Sequence, residues 1–206
     1  MNNKQTGFTL VELAIVLVVI GLILGMAFKG KDLIDSAKVK NMQAQYNKVS
    51  AAVNIYYEKY GSYPGDGCTG VATAGTTCSN ANPTRDGILS NAEGGFGITV
   101  LQNANILTKA DLQSPFGQDW TIAQGAAANN FDANTDYVTI GTSGLSTASA
   151  DIRFVCALDR LMDDGAPTTG AVRSSSTNTD TDTTYNSTSD CWAKSGQVMI
   201  GIRVLP

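Results

Sequence analysis

Residues 8–28 read FTLVELAIVLVVIGLILGMAF, twenty-one residues in which Glu12 is the one ionisable side chain. As a helix rising 1.5 Å per residue the run measures roughly 31 Å, enough to cross the hydrocarbon core of a bilayer. It is apolar on every side, so lipid or other apolar helices must cover it. Gly21 and Gly25 stand four apart, a spacing that lets helices approach closely and that is also ordinary in membrane helices. Glu12 breaks the pattern. A carboxylate placed there costs about 2.5–3.5 kcal/mol on insertion scales and calls for a partner. It either stays solvated near the membrane surface or meets a cation. The nearest basic side chains are Lys4 and Lys29. A cut after Gly7 would supply another cation, the free α-amine of Phe8.

The rest of the chain is a different physical object. Residues 1–60 carry seven basic and four acidic side chains; residues 61–206 carry seven basic and fourteen acidic ones and all four cysteines. The 206 residues contain no histidine, which removes a Ser-His-Asp triad, a Cys-His pair and the usual zinc and iron sites. A net charge of −4 argues against nucleic acid as a direct ligand. Charged residues make up only 16 % of the chain and Gly, Ser, Thr and Asn abound, as suits a secreted or surface protein with long polar loops.

After the apolar run, Val39, Met42, Tyr46, Val49, Val53, Tyr56 and Tyr60 recur at spacings of three and four, a stripe down one helical face. No proline precedes Pro64, and Gly61 is placed to cap the helix. One helix from Phe8 to Tyr60, about 80 Å long, is therefore expected. Its stripe serves either as a coiled-coil seam or, the preferred reading, as the spine on which a head packs.

The segment Gly7-Phe8-Thr9-Leu10-Val11-Glu12, following a short polar leader and opening an apolar run, resembles the prepilin cleavage and methylation signal of type IV pilins and type II secretion pseudopilins. "KYG-x-x-PGD", residues 59–66, is similar to the segment that follows the long helix in many pilin-like proteins. The resemblance implies a leader at 1–7, cleavage between Gly7 and Phe8 by a prepilin peptidase that also N-methylates Phe8, and pairing of Glu12 with the amine of a neighbouring subunit. Glu12 could instead meet its own chain's amine. The first-turn carboxylate also suits the helix dipole. An unpaired buried charge is expensive, so intersubunit pairing would set axial register more than it adds stability. The implied organisation is a leader at 1–7, a transmembrane or filament-core helix at 8–28, an amphipathic helix at 29–60 and a globular extracytoplasmic head at 61–206. The implied function is that of a structural subunit of a type IV pilus-like filament, not an enzyme. Such filaments serve adhesion, motility, DNA uptake or secretion. The precursor would be stored in the bacterial inner membrane and polymerised, with an assembly platform, into a homo-oligomeric extracellular or periplasmic filament. The alternatives are a pseudopilin and a single-pass anchored binding protein that does not polymerise. A rival cut after Gly25-Met26-Ala27, a small-x-small site, would release a soluble chain beginning at Phe28. Lys29 and Lys31 oppose an external head by charge counting, while four cysteines favour an oxidising compartment.

The fold expected is α+β: the long N-terminal helix on a small antiparallel-sheet head with disulfide-bounded loops. A short helix is expected at 93–107, strands at 119–123, 136–141 and 197–206, and a helix at 147–162. Four cysteines allow three pairings. Cys68–Cys78, closing a small loop, and Cys156–Cys191, similar to the disulfide-bounded loop of many type IV pilins, are expected. Thr168 to Ser189, dominated by Ser and Thr, reads as a surface loop. Asp163-Asp164-Gly165-Ala166-Pro167 reads as turn chemistry first and a metal ligand second. No cofactor is implied with certainty. Residues 82–93 nevertheless follow a degenerate calcium-loop pattern, with Asn82, Asp86 and Glu93 as ligands and Gly87 at the sixth place. The competing reading is a polar loop leading into a helix.

Overall fold

The structure, a computed structural model, describes residues 7, 9–68, 85–89, 91–125, 130–141, 145, 147–176 and 184–204. The fold is α+β. Helix α1 runs Leu10–Tyr60, α2 Asn91–Asn103 and α3 Ile152–Met162; the strands are β1 Trp120–Gln124, β2 Asp136–Ile140, β3 Ala150–Asp151, β4 Val172–Ser175 and β5 Gln197–Arg203. Two compact units, Met1–Ala37 and Lys38–Pro206, divide the chain inside α1.

In the larger unit, the stripe on α1 is the spine of a head. Val39, Met42, Val49, Val53 and Tyr56 are buried and Tyr46 and Tyr60 half-buried. Each fully buried aliphatic side chain contributes about 1.5–3 kcal/mol, which excludes this face as a free coiled-coil seam. Gln45 beside it accepts from the Trp120 indole N–H at 2.7 Å and donates to the Gln113 carbonyl at 2.6 Å, and the Tyr46 hydroxyl donates to the Arg203 carbonyl. The helix stops where Gly61 turns left-handed, at φ 72°, with its N–H on the Tyr57 carbonyl.

The sheet is antiparallel throughout, with β5 at its centre. β1 pairs with β2, and β5 pairs with β2, β4 and the short β3. The expected strands at 119–123, 136–141 and 197–206 are present as β1, β2 and β5. Two expected helices shift. The one expected at 93–107 begins at Asn91 and ends at Asn103, because Asn105 adopts φ 55° and the N–H groups of Asn105 and Ile106 turn back to the carbonyls of Gln102 and Leu101. That is a Schellman stop with asparagine in the left-handed place. The one expected at 147–162 begins only at Ile152. Ala150 and Asp151 pair with Val198 and Gln197, and Asp151 caps α3 by accepting from the Arg153 N–H.

The surface loop expected at Thr168 to Ser189 is corrected. Val172–Ser175 is strand β4, paired with Met199–Ile202 of β5, and Val172, Ser174, Ser175 and Tyr185 are buried. The tract holds few apolar side chains, but several of its buried polar groups are satisfied internally. Ser174 Oγ donates to the Tyr185 hydroxyl, which donates to Asp159, and Asn130 Nδ2 donates to the Ser174 carbonyl. Buried polar groups that are hydrogen-bonded cost little.

Candidate functional site

The N-terminal site starts at Gly7, which is exposed; Phe8 lies outside the described residues. Thr9 is the residue before α1, so Leu10, Val11 and Glu12 form its first turn. The Thr9 N–H and the Thr9 hydroxyl both donate to Glu12 Oε2 at 2.8 Å, and the Glu12 N–H donates to Thr9 Oγ1 at 3.4 Å. This is a reciprocal capping box. It satisfies donors that a helix start otherwise leaves open, which matters most where no water reaches them. Thr9 was missed as a site residue, although Thr-x-x-Glu before an apolar run is its signature. Both Thr9 donors fall on one oxygen; among the described residues nothing donates to Oε1. All side chains from Thr9 to Lys29 are exposed, Leu10, Val11 and Ile15 to 87, 67 and 59 %. An apolar band of this size is a contact surface for lipid or for other helices, and α1 contains a window long and apolar enough to cross a membrane.

In the head, Cys156 on α3 and Cys191 on a 3-10 turn form a disulfide with Cα atoms 5.5 Å apart. Cys68 is disulfide-bonded as well. Cys78, its expected partner, lies outside the described residues.

Of the expected calcium loop, Asn82 lies outside the described residues. Asp86 Oδ1 accepts from the Ile88 N–H, and the buried Glu93 on α2 accepts from the Gly67 N–H. A second acidic group lies at the end of α3, where Asp159, Asp163 and Asp164 bring carboxylate oxygens within 4.8 Å of one another. Its oxygens serve the turn: Asp159 accepts from the Gly165 N–H and the Tyr185 hydroxyl, Asp163 from Ala171 and Val172 N–H, Asp164 from Ala166 N–H and Thr169 Oγ1. Turn chemistry is what the DDG-x-P segment performs.

Burial, with Asp164 and Asp163 beside it, pushes Asp159 up to about 7 against the opposing hydrogen bonds from Tyr185 and Gly165. Unfolding returns it to 3.8. The folded chain therefore keeps a proton that the unfolded chain releases. The associated stability is complete below about pH 4 and is lost as pH rises through about 7. Melting between pH 5 and 8 should show a loss on the order of 1–3 kcal/mol that Asp159→Asn removes. An equal slope in that variant would refute the assignment.

The family model described as the prokaryotic N-terminal methylation motif matches residues 2–28. A fimbrial protein of Neisseria meningitidis serogroup B is 36 % identical over 76 residues, 36 % of this chain and 45 % of that protein, so the chain spans less than half of that relative. The type IV narrow pilus major component PilA5 of Thermus thermophilus is 29 % identical over 142 residues, 68 % of this chain and 90 % of that one. The solved structure of the major type IV pilin PilA1 from Clostridium difficile aligns with 84 % of this chain and 98 % of its own, at 18 % identity and a TM-score of 0.42.

Proposed function

We propose that this chain, which carries the methylation motif of type IV pilin-like proteins, is a structural subunit that is cleaved between Gly7 and Phe8 and polymerises through its apolar helix. One observation carries the proposal: a single acid, Glu12, in the first turn of a helix whose apolar side chains are exposed all round from Leu10 to Phe28. Lipid covers such a surface in a stored precursor; identical helices cover it in a filament. The capping box spends Oε2 on Thr9 and leaves Oε1 for a cation. Cleavage after Gly7 makes that cation, the Phe8 ammonium. In a stack of subunits only one axial offset brings an ammonium to each Glu12, so the pair specifies register. Prepilin peptidase and an assembly platform are the partners this reading requires, with the precursor in the inner membrane and the head outside. Adhesion, motility, DNA uptake and secretion are all compatible with such a filament.

The test joins mass spectrometry of the mature N-terminus to electron microscopy of sheared surface fractions. The expected result is a chain beginning at N-methylated Phe8 in filaments. A mature chain beginning at Met1 or Phe28 would overturn the reading. Cleaved chains that remain single in the membrane would favour the anchored binding protein instead.

A further inference from the structure

We propose that Asn186 is the acceptor of an N-linked glycan, taken as an oligosaccharide from a polyprenyl-pyrophosphate carrier at the outer face of the membrane. Residues 186–188 read Asn-Ser-Thr, the one place in the chain where Ser or Thr stands two positions after an asparagine with no proline between. Asn82-Pro-Thr84 has the hydroxyl but also the proline that the motif forbids. The motif is usable only on a surface loop outside the cytoplasm, so the proposal rests on the reading that places the head there. The fold supplies the loop. Tyr185 is buried beneath it, and Asn186, Ser187 and Thr188 are all exposed. Three attachments hold the turn in place. Arg160 of α3 donates through Nη2 to the carbonyls of Asn186 and Ser189. A Cβ at Gly165 would lie 3.3 Å from the Ser187 Cα, so the turn lies against the segment that follows α3. Cys191, tied to α3 by the disulfide, comes five residues after Asn186.

The geometry inside the turn suits the acceptor chemistry. The Ser189 N–H donates to the Asn186 carbonyl at 3.0 Å and closes the turn. Asn186 Oδ1 accepts three hydrogen bonds, from the Thr188 N–H at 3.0 Å, the Thr188 hydroxyl at 2.9 Å and the Ser189 hydroxyl at 3.1 Å. Two of these donors belong to the residue that the motif specifies. A carboxamide nitrogen is a poor nucleophile, because its lone pair is delocalised onto the oxygen. Donors aimed at Oδ1 stabilise the negative charge that gathers there as Nδ2 loses a proton, so this arrangement raises the acidity of the Nδ2–H. The side chain that carries it is exposed and open to a transferase. In the transfer, Nδ2 gives a proton to a base of the enzyme and bonds to C1 of the first sugar, while the bond from C1 to the pyrophosphate oxygen breaks and the lipid pyrophosphate leaves. Asn130 is the opposite case: it is buried, its Nδ2 donates to the Ser174 carbonyl, and Asp132 stands two positions on.

Mass spectrometry of the native chain, from membrane and sheared surface fractions of its own cells, tests the proposal. Trypsin releases Ser174–Lys194, which holds the motif, and electron-transfer fragmentation assigns a sugar to one side chain. The expected result is an oligosaccharide mass on Asn186. Asn186→Gln and Thr188→Ala should each lose it, and Thr188→Ser should keep it, since serine retains the hydroxyl. These changes fall on exposed side chains, and an intact Cys156–Cys191 disulfide in the same digest shows that each variant folds. A bare Asn186 in the wild-type chain would overturn the proposal, and so would sugar confined to Ser or Thr of that peptide. Sugar still on Asn186 in Thr188→Ala would overturn the acceptor geometry on which it rests. The same digest gives the N-terminus. Bare Asn186 on a chain beginning at Phe8 counts against the glycan alone, and sugar on Asn186 of a chain beginning at Met1 counts against the processing alone.

Discussion

Glu12→Ala should leave a chain that is synthesised, inserted and cleaved, with filaments reduced below detection in sheared fractions. Removing the carboxylate lowers the insertion cost by about 2.5–3.5 kcal/mol, so membrane storage should not suffer. Losing the capping box costs about 0.5–2 kcal/mol, felt in the first turn of α1. The head belongs to the unit beginning at Lys38 and should melt unchanged. On the proposed reading, what disappears is the charge that penalises every wrong axial offset. Glu12→Gln separates the two roles of this side chain. Glutamine keeps the capping box but cannot pair with an ammonium. Filaments from Glu12→Gln at the wild-type level would show that capping, and not the ion pair, is what assembly requires.

Replacing Cys156 and Cys191 together by serine should cost about 4 kcal/mol through the freed unfolded chain, a fall of roughly 8–16 °C in melting temperature. The closed loop has a sequence separation of 35 residues and contains Asp159, β4 and Tyr185. The segment is poor in apolar side chains, and much of what holds it is the hydrogen-bond chain from Ser174 through Tyr185 to Asp159. Such bonds contribute about 1 kcal/mol each, too little to offset the chain entropy of an untethered loop. The melting of the double variant, measured under non-reducing conditions beside the wild type, decides this. A shift below about 2 °C would mean that β4 and the buried network hold the loop without the covalent bond.

Where the sequence was legible, local rules and the surroundings agreed. The stripe Val39 to Tyr60 has the helical period, and Gly61 permits the left-handed stop, so the lower part of α1 and its end were readable from spacing. Strand β5 was readable because Val198, Met199, Ile200 and Ile202 are buried in a strand at the sheet centre. Where reading failed, a distant contact had reversed a local preference. Serines 174 and 175 look like loop residues until β5 supplies ladder bonds and Tyr185 supplies a hydroxyl partner. Ala150 and Asp151 were taken into a helix because their pairing with β5 lies 46 residues or more away. Thr9 was legible as well, because a threonine three places before a glutamate, ahead of an apolar run, marks a capping box.

By itself the amino-acid order determined the long helix, its apolar first part and the solitary acid near its start, because helical period, hydropathy and capping are properties of neighbours along the chain. It also held the four cysteines of the head, but not what each would face. Only the tertiary structure decided which polar groups go inside. The burial of Asp136, Asp159, Ser174 and Tyr185 depends on partners from separate segments arriving with the right donor or acceptor, and a polar side chain carries no local mark of whether such a partner will come.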